Sequence, residues 1–235
     1  MNEIISIINK GLQEIEKRAG IPASVLKIIA VVTMFIDHTG SLLFPDVAIF
    51  RIIGRLAFPI YAYLIGEGCL YTKSKWKYLR NISLTFIAFQ IVYGIVSEET
   101  KMCVLLGFAL FVVFTMIMDW ARKDMNKRMM VPLLYSLFVG IMLTFFEADY
   151  LFFSFCAPMI PYFWKDNKIL KLLLYFGLLF ILGIVFKYQF YGLFAIIPLI
   201  LYNGQKGNIK MKYMFYAFYP LHYLFLGILK IIFMT

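Results

Sequence analysis

At 235 residues, with 63% hydrophobic, 19% aromatic and only 15% charged side chains, the chain lies far from the roughly 25% charged residues of a soluble domain. Its composition is that of a polytopic membrane protein. The net charge of +10 reads as a basic rim against a membrane surface and argues against a nucleic-acid partner.

The bilayer offers no partners to open backbone, and the ten-residue alternation of a barrel is missing from the sequence, so the fold class is all-α. We expect a transmembrane helix bundle of about nine spans, within limits of eight to ten, each needing about 20 apolar residues. The first eighteen residues, "MNEIISIINKGLQEIEKR", are too short and too acidic for a span or a signal peptide. Ile4, Ile8, Leu12 and Ile15 recur at helical spacing, which predicts an amphipathic helix over 1–20 lying on the cytoplasmic surface. Residues 21–235 are then one transmembrane domain.

The apolar segments follow at about 25–44, 48–70, 79–97, 102–119, 129–147, 150–164, 169–187, 189–202 and 213–234. The sixth and eighth are short and carry Pro158, Pro161 and Pro198, which predicts kinked or partly penetrating elements. Eighteen of the 23 basic residues precede the first segment or follow every second one, with the densest run at "KSKWKYLR". The alternate turns hold Asp46, Glu98, Glu99, Glu147 and Asp149. This asymmetry predicts an integral inner-membrane protein with a cytoplasmic N-terminus and, for nine spans, an external C-terminus. Cys69, Cys103 and Cys156 have no disulfide or metal spacing and read as small packing residues.

Function has to be argued from the ionisable residues inside the spans, each of which costs at least about 2.5–3.5 kcal/mol there. "IDHTGSLLF" places Asp37 and His38 in the outer half of the first span. Arg51 and Arg55 share one face of the second, and the short turn "PDVA" brings the two spans together. One reading is a buried ion pair between Asp37 and an arginine that locks the two helices. The other is a site in which His38 acts as general base and an arginine takes developing negative charge. His222, the second of only two histidines, falls in the last span after Pro220. Glu67, flanked by Gly66 and Gly68, is a further acid in the second span, where the glycines allow close approach.

Several blocks resemble, in order, those of the TraX-like proteins, a family named for the conjugative-pilin acetylase. They are "LKIIAVVTMFIDHTG", "RIIGRLAFPIYAYLIGEG", "KYLRN", "YNGQKG" and "KYMFYAFYPLHYLFLGIL", and they run from about residue 25 to the last span. The resemblance implies acyl transfer at a membrane. Acetyl-CoA or another acyl-CoA would be the donor, without a metal, and the acceptor would be an amine or hydroxyl, such as a peptide N-terminus, a sugar or a small molecule. It implies His38 as the central catalytic residue with Asp37, Arg55 and His222 beside it. Arg51, Glu67 and Tyr219 would bind substrate; the phosphates of such a donor need positive charge and forked donors, for which Lys77 and Arg80 of the basic rim are the first choices. Two external turns depart from the family pattern: "QIVY" lacks a proline after Gln90, and "EADYLFFSF" lacks glycines. Both departures bear on the choice of acceptor. A proton-coupled transporter or flippase-like carrier with an Asp/His/Arg relay is the alternative that the same residues allow.

Overall fold

The computed structural model describes residues 11, 14, 19–97, 101–122, 130–150, 152–208 and 212–234. Among them every regular element is helical, apart from one isolated bridge between Ile21 and Tyr202. The surface helix expected over 1–20 falls outside the described residues but for Gly11, Glu14, Ala19 and Gly20.

Five helices are long and apolar enough to cross a membrane, and four shorter apolar ones complete the set among the described residues. These nine coincide with the nine segments expected, whereas spanning as such follows only for the five long ones. A bilayer solvent explains their surfaces. Ile87, Ile91 and Ile95, and likewise Leu133, Leu137 and Ile141, form exposed apolar rows at four-residue spacing that water would penalise.

The contacts divide the chain into two units, Met1–Leu64 with Trp164–Met211, and Ile65–Phe163 with Lys212–Thr235. In the first unit, α1 (Ala23–Leu43) ends just before Pro45 and turns into α2 (Ala48–Gly54). After a break at Arg55 and Leu56 the chain resumes as α3 (Ala57–Tyr71), whose residues beyond Leu64 belong to the second unit.

The same first unit holds three later elements. Below, α9 denotes Lys168–Val185, the 3₁₀ segment Lys187–Ala195, and α10 Ile196–Leu201. The Asn167 side chain caps α9 by accepting from the Leu170 N–H at 3.0 Å. Leu26, Ala30, Ile60, Tyr63, Tyr175, Leu182 and Leu199 form the core, with the Tyr175 hydroxyl donating to the Pro59 carbonyl at 2.6 Å.

At one end of this unit "YNGQKG" folds onto the start of α1. Ala23 and Ser24 donate their N–H groups to the carbonyls of Gln205 and Lys206, which satisfies the helix's orphan donors. Gly204 and Gly207 sit at φ +73° and +79°, and a Cβ on Gly207 would strike the Ser24 hydroxyl. The block is therefore a helix cap. Lys168 satisfies the opposite kind of orphan, donating to the Ile200 and Tyr202 carbonyls at the end of α10 at 2.8 and 2.9 Å.

The second unit is built from α4 (Lys75–Ser97), α5 (Leu105–Ala121), α6 (Met130–Phe145), the short α7 (Phe153–Cys156) and α8 (Met159–Phe163), and α11 (Lys212–Met234), with α11 packed along α4. Phe111, Phe114, Phe155 and Tyr162 interlock at its centre. Gln90 clamps the turn that enters α5, donating to the Lys101 carbonyl and accepting from the Cys103 N–H.

Proline explains most of the irregularity. Pro158 and Pro161 offer no N–H, and the sixth segment accordingly splits at Ala157 and Pro158. In the eighth segment the change of winding comes at Ala195–Ile196, ahead of Pro198. Nine residues of 3₁₀ winding precede it, although such runs rarely exceed about four.

Candidate functional site

Asp37, fourteen residues into α1, is held by both arginines of the following helix. Arg51 Nη1 donates to Asp37 Oδ2 at 2.9 Å and Arg55 Nη2 to Oδ1 at 2.5 Å. Arg55 Nε also donates to the Arg51 carbonyl at 3.1 Å, which fixes its guanidinium over the helix break. Exposure separates the two: the Arg51 side chain is 35% accessible, Arg55 10% and Asp37 13%. The ion pair expected between Asp37 and an arginine is present, and the carboxylate engages both cations rather than one. Two guanidinium groups thus share one carboxylate, the inner one on Arg55 and the more solvated one on Arg51.

Small residues make this approach possible. A Cβ on Gly54 would overlap the Asp37 carboxylate, and one on Gly40 would overlap Phe50. Gly54→Ala is expected to lower stability by about 1–3 kcal/mol through overpacking. Thermal unfolding in detergent reads this directly, and an unchanged melting temperature would mean that α1 and α2 are not held at this distance.

His38 follows Asp37 and is half-buried, its side chain set about 100° around the helix from the carboxylate. Position 38 therefore places an imidazole in the same turn as the ion cluster without making the pair a linear relay.

The remaining expected site residues belong to the second unit. His222 is 4% exposed and stacks on Phe218, with ring centroids 4.9 Å apart. Its Nδ1 lies 2.7 Å from the Phe218 carbonyl. A carbonyl can only accept, so Nδ1 carries the proton and Nε2 is the acceptor nitrogen. Tyr219 packs edge-on to Phe89 in the same aromatic layer between α4 and α11. The Tyr223 and Ser97 hydroxyls pair at 2.5 Å beside it.

Glu67 is buried on α3 at 7% exposure. Gly66 lies against the Pro158 carbonyl and Gly68 against the Tyr78 hydroxyl, the close helix approach that the glycines predicted. Lys77 and Arg80 are exposed at the start of α4. Their neighbour Lys75 is instead committed to Asp119, Nζ to Oδ2 at 2.6 Å. Next to them an apolar groove of about 330 Å³ is lined by Trp76, Leu79, Val113, Met116, Ile117 and Trp120.

Sequence reasoning passed over several buried polar residues, and among them Gln189 carries an unpaired side chain. Gln189, in the 3₁₀ segment of the first unit, is 2% exposed. Its signal was a lone carboxamide inside the apolar stretch "FKYQFYGLFAIIP".

Comparison with known proteins adds the family. The chain matches the TraX protein family over residues 23–230. It is 24% identical over 230 residues to a probable fimbrial assembly protein, FimC of serogroup H1, from Dichelobacter nodosus, covering 84% of this chain and 91% of that one. It is 36% identical over 73 residues to an uncharacterised protein of Rickettsia prowazekii, covering 31% of this chain and 24% of the other. No solved structure matches it.

Proposed function

The chain belongs to the TraX family, and from that premise we propose that it is an integral inner-membrane acetyltransferase acting in pilus or fimbrial assembly. Acetyl-CoA is the donor and the N-terminal amine of a pilin-like peptide the acceptor. The observation that carries the reading is the Asp37, Arg51 and Arg55 cluster beside His38. It supports the reading because a carboxylate bound by two guanidinium groups of the next helix adjoins, in sequence, a residue able to act as general base.

In this mechanism His38 removes a proton from the acceptor amine as its nitrogen attacks the thioester carbon. The C–N bond forms, and the carbonyl oxygen carries negative charge that Arg55, fixed by Arg51 and Asp37, stabilises. Collapse breaks the C–S bond. The proton held by His38 passes to the departing thiolate, and amide and CoA thiol leave. Lys77 and Arg80, exposed and not drawn into the ion pair that occupies Lys75, bind the donor's phosphates. The N-terminus is cytoplasmic, on the side where CoA is found.

Donor binding tests the reading. Acetyl-CoA at about 100 times its Kd should stabilise the purified protein by about 2.7 kcal/mol. That rise in Tm should be lost in the Lys77→Ala/Arg80→Ala variant. No rise at saturating acetyl-CoA would overturn the donor and favour the carrier reading, for which the broken second helix and the Asp/Arg pair would form an ion path.

A further inference from the structure

We infer that the 3₁₀ segment Lys187–Ala195 is the acceptor-binding element of the first unit, and that the Gln189 carboxamide recognises an amide group of a peptide. The inference rests on the acyl-transfer reading and adds to it the residue that selects the acceptor.

The first observation is Gln189 itself. It is 2% exposed, and neither Nε2 nor Oε1 has a hydrogen-bond partner. Buried polar atoms left so are rare, because each forfeits its hydrogen bonds to water and regains nothing. A buried carboxamide in this state is costly to keep unless another state of the protein satisfies it.

The second observation is a cradle on the same face. A Cβ on Gly192 would lie 3.3 Å from the Arg55 carbonyl oxygen, 3.4 Å from Gln189 Oε1 and 3.4 Å from Pro59 Cγ. The open position at 192 therefore adjoins both the amide of Gln189 and the backbone of the arginine that holds Asp37. Pro59 stands four residues after Arg55 and brings no N–H to this recess.

The third is the winding. Nine consecutive 3₁₀ residues form a weakly bonded run of the kind found at functional hinges. Phe190 anchors the run against α9, where Gly183 leaves room for its ring. The segment can thus lift at Gln189 and Gly192 while remaining tethered at Phe190.

A carboxamide presents a donor and an acceptor side by side. Its complement is a donor and an acceptor on one edge, as the N–H and C=O of a single residue in extended backbone are. A peptide paired with Gln189 would run toward Arg55, whose carbonyl oxygen adjoins position 192.

The full-length protein in detergent is melted alone, with an equimolar library of N-terminally free hexapeptide amides, and with glucose at the same concentration. Wild type should be stabilised by the library and not by glucose. Gln189→Leu removes the two unsatisfied atoms at nearly constant volume, so it should melt higher than wild type at rest and lose the library response. Gly192→Ala brings a methyl group to 3.3 Å from the Arg55 carbonyl oxygen, a tight fit, so it should melt somewhat below wild type while losing at least tenfold in apparent library affinity. A wild type that ignores the library overturns the inference. So does a Gln189→Leu protein that melts lower than wild type and still responds. Acetyl-CoA in a parallel arm separates the two readings. Loss of that response alone removes the transfer chemistry and leaves the peptide site standing.

Discussion

Asp37→Ala should destabilise the protein by about 3–5 kcal/mol, because it strands a buried guanidinium. The two arginines should not share this cost equally. Arg55 is 10% exposed and bound on both sides, to the Asp37 carboxylate and the Arg51 carbonyl. Arg51 is 35% exposed, so water screens its charge, and Arg51→Ala should cost less than about 1 kcal/mol. Removing both members of the tighter pair changes the sign of the argument, since the only cation then left without the carboxylate is Arg51, which is 35% exposed. Asp37→Ala/Arg55→Met should recover much of the single loss, giving a coupling energy of about 2–3 kcal/mol in a double-mutant cycle. Unfolding of the four proteins in one detergent decides it. Additive losses would show that the two groups do not sense each other and would remove the ion cluster from the site.

The sequence and the fold agree most closely where a single physical rule dominates. Hydropathy and length locate all nine apolar segments, because bilayer solvation acts on every residue alike. The short turn "PDVA" and the four-residue spacing of Arg51 and Arg55 suffice to bring both near Asp37, since helix geometry leaves little choice. Legibility fails where the outcome depends on contacts between distant segments. Pro198 marks the eighth segment as irregular, yet the irregularity is a 3₁₀ run ending before it, set by how Phe190 and Gly192 pack on α9 and on the start of α3. "YNGQKG" reads as a block with a lysine on the basic rim. Its work as a cap on α1 depends on backbone carbonyls, which no side-chain pattern announces. Gln189 is the same kind of case: one amide among aromatics is unremarkable until its burial is known. The division into two units is also invisible in composition, because α3 runs through it as one apolar helix.

His38→Ala should reduce acetyl transfer by about 10²- to 10⁴-fold, the usual worth of a positioned general base, and leave the fold within about 1 kcal/mol of wild type. The separation of the two effects follows from burial. His38 is only half-buried, so its loss leaves little void, and the ion-pair bonds that tie α1 to α2 run through Asp37, Arg51 and Arg55. His222 provides the contrast. It is 4% exposed, stacked on Phe218 and bonded to the carbonyl of its own helix, so His222→Ala should create a cavity and cost about 2–4 kcal/mol. Rates measured per folded molecule then distinguish a base from a packing residue. His38→Ala should be stable and inactive, whereas His222→Ala should be unstable and, where folded, should retain far more activity. Arg55→Lys refines the same comparison. A lysine keeps the charge but loses the fork that engages Asp37 and the Arg51 carbonyl together, so transfer should fall by at least about tenfold even where the pair survives. An active His38→Ala protein would remove the base from this mechanism. The aspartate and arginines would then be a lock between two helices, with the chemistry to be sought elsewhere in the chain.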